Sequence, residues 1–159
     1  MLAYFTITLC IFASLSAAML AGIYFIFSNT IMPSLKGIAS GPEAMQFINR
    51  TIQNTGFFIL FFGSFVSSNI LIALSLVQDS SLSLLAIIAS GLLISAFIST
   101  VLVNVPLNNL LDKQIANTAE MDQVWTHYLN KWLRWNHLRA LLCLLSALIF
   151  LIECLFIEG

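Results

Sequence analysis

A chain of 159 residues that is 60% hydrophobic and only 8% charged has a mean hydropathy of +0.98, whereas a soluble domain carries about 25% charge. That shortage excludes an ordinary water-exposed surface and marks a membrane protein whose first partner is the lipid bilayer. With seven acids against six bases and a net charge of −1, nucleic acid has no electrostatic footing as a partner.

Four apolar stretches follow in order: 2–27, 56–77, 82–105 and 140–157. Each is close to the roughly 20 residues needed to cross a hydrocarbon layer of about 30 Å. Lipid satisfies no backbone polar group and the alternation of barrel strands is absent, so the spans are predicted as helices. The fold class is therefore all-α, an integral membrane four-helix bundle forming one domain over 1–159, with short amphipathic cytoplasmic helices. The first stretch lacks a basic start and is too long for a secretory signal, so it is expected to remain as a span.

After the first span, Pro33 lacks the donor that a continuing helix needs, and the helix is expected to end there. Gly41-Pro42-Glu43 then begins like a helix, with proline early and an acid in the first turn. Met45, Ile48 and Ile52 recur at helical spacing opposite Gln46, Asn49, Arg50 and Gln53, which predicts a short amphipathic helix. It is expected to lie at the interface or to cap the bundle, and a surface anchor is favoured slightly over a lid above a site. Spans two and three are joined by 78–81, which calls for a tight antiparallel hairpin. Small residues recur at four-residue spacing in every span (Ala18 and Gly22, Ser64 and Ser68, Gly91 with Ser95 and Ser99, Cys143 and Ala147), a pattern that allows close helix packing in lipid. Whether the bundle also pairs with itself as a homo-oligomer is open.

Asn104-Val105-Pro106-Leu107-Asn108-Asn109 closes the third span. Asparagine there is costly without a partner; its amides either cap the turn broken by Pro106 or face a polar cavity, and capping is favoured. The segment 120–139 holds all three tryptophans and both histidines. On one helix, His127, Asn130, Arg134 and His137 share a face, and Trp125, Tyr128, Trp132, Trp135 and Arg139 share the other. Taken singly, the tryptophans are expected to anchor at the membrane interface. His137 and Arg139 stand at the entry of span four, where an unpaired charge is expensive, and Asn104 and Asn108 are candidate partners.

All six bases, Lys36, Arg50, Lys113, Lys131, Arg134 and Arg139, fall in the two long connections. The positive-inside rule then places those connections in the cytoplasm and both termini and Asp79 outside, in a cell inner or plasma membrane. Glu153, the one acid within a span, is near enough to the outer end to snorkel. Cys10, Cys143 and Cys154 sit in apolar runs at no metal-binding spacing and are expected to be free thiols. His127 and His137 as haem or metal ligands are disfavoured because no third ligand has useful spacing. No phosphate loop or nucleophile elbow is present.

The stretches IMPSL (31–35), MQFIN (45–49), VPLNNLL (105–111) and WLRWNHLR (132–139) resemble the anthrone-oxygenase-like family of small four-span membrane proteins. That resemblance implies oxidation of an anthrone to an anthraquinone by molecular oxygen with no cofactor, and no metal is expected. It implies Asn104, Asn108, Trp132, Asn136, His137 and Arg139 as site candidates. Such chemistry needs a base, for which His137 is suited, with His127 in reserve. It needs a donor for the enolate oxygen, from Arg139, Asn104 or Asn108, and an aromatic wall such as Trp132 for a polycyclic or quinone-like ligand. On a straight helix His137 and Arg139 diverge by about 200°, so a bend is needed if both are to face one pocket. The alternative is a non-catalytic membrane module that binds a quinone, a lipid or partner helices.

Overall fold

The computed structural model describes residues 2–77 and 84–157. The chain folds into α1 (Leu2–Ile26), a π-helical segment (Phe27–Ile31), α2 (Met32–Lys36), α3 (Gly41–Thr51) and α4 (Thr55–Val77). Then come α5 (Leu84–Ser99), a second π segment (Thr100–Asn104), α6 (Val105–Asp112) and α7 (Ala119–Ile157). Among the described residues there is no strand. Four helical stretches are long and apolar enough to cross a membrane: Leu2–Lys36, Thr55–Leu76, Leu84–Asp112 and Ala119–Leu155. The protein is an all-α integral membrane protein. The hairpin expected at 78–81, with Asp79, lies outside the described residues.

The two proline breaks differ from expectation in the same way. Neither Pro33 nor Pro106 ends its helix. Met32 N–H bonds to the Phe27 carbonyl and Val105 N–H to the Thr100 carbonyl, each five residues back. The proline follows directly in both cases. A π turn is wider than an α turn, so the ring clears the preceding carbonyls and the helix continues. Each half of the chain thus repeats one order: a span, a π segment, a proline in the first turn of the next helix, a connection and a second span.

The long helices form a ring in which α1 packs on α4 and α7, and α5 packs on α4 and α7. Small side chains let them approach: Ala13, Ala17 and Ala21 of α1, Ala89 and Ala96 of α5, and Cys143 and Ala147 of α7 are all buried. Two serines bond across interfaces, Ser14 Oγ to the Ala147 carbonyl at 3.0 Å and Ser146 Oγ to the Ala89 carbonyl at 2.8 Å. Ser64, Ser68 and Ser99 also face inward, but the α1 stripe at the interface is not Ala18 and Gly22, which are exposed. Cys10, Cys143 and Cys154 form no disulfide with one another.

A second cluster closes one end of the ring, with Met32, Leu35, Met45, Leu107, Leu111 and Met121 at its centre. Here α3 is a cap, not a surface anchor. Gln46 Nε2 donates to the carbonyls of Leu111 and Gln114, and Arg50 pairs with Asp112 at 2.7 Å. Gly41 allows the chain to fold back on α2, because a Cβ there would collide with the Leu35 carbonyl. Both long connections meet at this end.

Asn117 adopts a left-handed backbone (φ 59°) and Thr118 Oγ1 accepts from Met121 N–H, which starts α7. The helix then runs 39 residues, about 60 Å at 1.5 Å per residue, far more than one span requires. The expected connection before residue 140 is therefore largely the first half of this helix. Arg139 is carried into the bundle and is 4% exposed. Glu153 does not snorkel; it is 1% exposed and turned toward the other helices.

Candidate functional site

The two π segments and the cap enclose a chamber of about 300 Å³. One side is hydrocarbon. Phe57, Phe58, Phe61 and Phe62 at the start of α4 repeat at helical spacing and form a phenyl wall. Phe57 stacks on Phe61 with centroids 5.6 Å apart, and Phe61 stacks on Phe97 of α5 at 4.6 Å. The other side is polar: Tyr24, Thr100, Asn104, Asn108, Asn136 and Arg139, with the Trp132 ring among them. Asn49, Ile52 and Gln53 of the cap close the end. Phe58, Phe62, Val101 and Val105 are both lining and exposed, so the mouth opens along the side of the bundle; at the cap end Gln53 and Asn109 form its polar edge.

The polar side is built around Arg139. Its guanidinium donates to Thr100 Oγ1 at 3.1 Å and to Asn136 Oδ1 at 2.7 Å. Asn104, whose amide faces two donors and so is assigned with its oxygen toward them, accepts from Arg139 Nη2 at 3.1 Å and Trp132 Nε1 at 3.3 Å. The guanidinium also lies over the Tyr24 ring at 4.3 Å and near the Trp132 ring at 5.5 Å. Asn136, wholly buried, donates in turn to the Tyr24 carbonyl at 2.6 Å and to Ser28 Oγ at 2.7 Å. The first π segment is tied to α7 in this way.

Asn108 organises the outer half. Its Oδ1 accepts from the Tyr128 hydroxyl and from Trp132 Nε1, both at 2.8 Å, and Asn49 Nδ2 donates to the Tyr128 oxygen at 3.4 Å. Trp125, Tyr128 and Trp132 stack in a ladder with successive centroids 5.6 Å apart. Trp125 and Trp132 are buried, so their expected role as interface anchors does not hold. Nor does Asn104 cap the turn at Pro106, since its side chain makes no capping bond.

The chamber brings together Asn104, Asn108, Trp132, Asn136 and Arg139. The histidines lie elsewhere. His137 is exposed in a groove between α1 and α7, beside Ala18, Gly22, Phe25 and Asn29. His127 is exposed beside Gln123, Asn130, Lys131 and Arg134. Because α7 continues as one helix through this stretch, residues 137 and 139 point to different sides, and only Arg139 reaches the chamber. Sequence reasoning missed the phenyl wall, although the paired phenylalanines at 57–58 and 61–62 repeat at four-residue spacing. It also missed Tyr24 and Thr100, which carry no signal apart from the tertiary contacts, and it placed Asn49 on the polar face of the short helix and in the MQFIN stretch without making it a site candidate. Among the described residues, no three of His, Cys, Asp and Glu gather as metal ligands.

A family model described as Anthrone oxygenase matches residues 55–149, well over half of the chain and most of the chamber wall. No curated protein and no solved structure matches it.

Proposed function

This chain belongs to the anthrone oxygenase family, and from that premise we propose that the chamber binds a flat hydrophobic aromatic bearing a ring oxygen and oxidises it with molecular oxygen. The observation that carries this is the buried guanidinium of Arg139, ringed by neutral acceptors and set across the chamber from a wall of phenyl rings. Phenyl faces suit a planar polycycle. A mouth lined by Phe58, Phe62, Val101 and Val105 suits a ligand that arrives dissolved in acyl chains.

For an anthrone, the balanced change converts one ring CH2 to a carbonyl. One atom of O2 enters the product and the other leaves as water with the two hydrogens. The enolised ring supplies the first electron to oxygen, and negative charge resides on the ring oxygen beforehand. Arg139 and Asn104 are the donors placed to hold that oxygen. Loss of one such donor costs about 10²–10³ in kcat.

The test is quinone formation from an anthrone under oxygen by the purified protein in lipid. Wild type is expected to exceed empty lipid, and Arg139→Gln to fall at least tenfold, while His137→Ala keeps the wild-type rate. Background rates in wild type would overturn the oxygenase reading. A fall in His137→Ala with none in Arg139→Gln would move the chemistry out of the chamber.

A second reading, a binding module that holds a quinone-like ligand without turning it over, is favoured by one feature of the wall: among the described residues no His, Asp, Glu or Lys lines it. Saturable binding without quinone formation would select it. Both readings put the chamber at the cytoplasmic leaflet, where Lys36, Arg50, Lys113, Lys131 and Arg134 gather. Cysteines placed at 36 and 134 should then label from the same compartment.

A further inference from the structure

We infer that the chamber holds its aromatic ligand as an anion, with the ring oxygen ionised against Arg139 and its proton passed to water. This rests on the binding reading above and adds the charge state that the site selects.

Arg139 is almost fully buried, and every oxygen that accepts from it is neutral: a hydroxyl from Thr100 and amides from Asn104 and Asn136. The ion pair Arg50–Asp112 lies on the surface, away from Arg139. Glu153 stands on the same helix about 20 Å further along. A charge taken out of water with no opposite charge is costly, and neutral hydrogen bonds repay only part of that cost. An oxyanion in the chamber would supply the rest, and by the same exchange the guanidinium would make the ligand a stronger acid.

The elements packed around Arg139 offer nothing to take the proton. From α1 the titratable group is Tyr24, whose ring lies under the guanidinium. From α7 they are Tyr128 and Cys143, on the same buried stripe. The second π segment contributes a hydroxyl and an amide, the cap contributes amides, and α4 contributes phenyl rings. Among the described residues that line the chamber, no side chain is a base near neutral pH. The proton therefore has to leave by water at the polar edge of the mouth, beside Gln53 and Asn109.

The selected ligand is a planar phenol or enol whose acidity lies within a few units of neutral. A carboxylate or phosphate headgroup shares the negative charge but not the flat face that the phenyl wall requires.

A hydroxyanthraquinone tests this directly, because its visible band moves to the red when it ionises. The full-length protein in discs of zwitterionic phospholipid is titrated with the dye at a pH one to two units below the dye's own ionisation, against empty discs. The expected result is saturable binding that develops the anion's band. The midpoint of ionisation of bound dye should be lowered by at least one pH unit. Arg139→Gln should return that midpoint toward the free value while quenching of tryptophan emission still reports binding, and Arg139→Lys should keep part of the shift. Dye bound with its neutral spectrum in wild type would overturn the inference and leave the binding reading intact. No saturable binding at any pH would overturn the binding reading itself. Displacement of the dye by anionic phospholipid would show that a headgroup occupies the site, and would overturn the assignment of an aromatic anion. The wild-type spectrum is decisive even if Arg139→Gln fails to fold.

Discussion

Along α7, Tyr128, Trp132, Asn136 and Arg139 turn inward and are buried, whereas His127, Lys131, Arg134 and His137 turn outward and are exposed. The two stripes occupy the same stretch of one helix and are alike in polarity. What separates them is partners. Each polar group of the inner stripe meets another helix: Asn136 reaches the Tyr24 carbonyl and Ser28, Arg139 reaches Thr100, and Tyr128 and Trp132 share Asn108. A buried polar group with no partner costs far more than a satisfied one gains, so the inner stripe is both the structural joint and the site. The outer stripe lies on the exposed side of α7, away from these bonds to the other helices. In a membrane chain, therefore, a histidine is a weaker pointer to a site than a buried arginine with partners on two other elements.

Substitutions along the two stripes can break this contrast. The largest stability effect is expected for Asn136→Leu, which removes the acceptor of Arg139 and the donor to Tyr24 and Ser28 together. Hydrogen bonds to charged groups contribute about 1.5–3 kcal/mol each, so reversible unfolding in mixed micelles should show a loss of about 3 kcal/mol. A loss below about 1 kcal/mol would mean that the inner stripe is not a joint. Next is Asn108→Ala, which takes the acceptor from the Tyr128 hydroxyl and should cost about 1–2 kcal/mol in the same measurement. It should also change tryptophan emission, since Trp132 Nε1 loses a partner.

Smaller effects belong to the surface. Arg50 and Asp112 are 64% and 41% exposed, and an exposed pair is worth about 0–1 kcal/mol. Arg50→Ala should therefore lower stability by less than about 1 kcal/mol, and by less still as salt is added. On the outer stripe, Lys131→Ala and Arg134→Ala should each stay within about 0.5 kcal/mol of wild type and leave quinone formation unchanged. If either lowered turnover more than the Asn108 variant, the contrast between the stripes would be lost.

Much of the fold was legible in the residues. The four apolar stretches, the amphipathic pattern around Met45 and the cluster of polar and aromatic types in 104–109 and 132–139 follow from local composition and helical period. Five of the seven site candidates line the chamber; the family resemblance supplied them as a set, and Asn136 came from it alone. Pro33 and Pro106 were visible as irregularities, but their local rule predicted a break. The outcome was a π turn, which depends on whether the helix beyond is held in line by packing.

The residues alone determined that this chain is apolar, helical and long enough to cross a membrane four times, because hydrocarbon length and backbone satisfaction leave few options for such a composition. Only the tertiary structure decided which side of each helix faces inward. His137 and Arg139 are two positions apart and about 200° apart around the axis, and nothing local ranks one above the other. The choice was made where α1 and α5 pack against α7, with Ala17, Ala21 and Ala89 close enough to exclude lipid. That packing buries Arg139 and leaves His137 exposed.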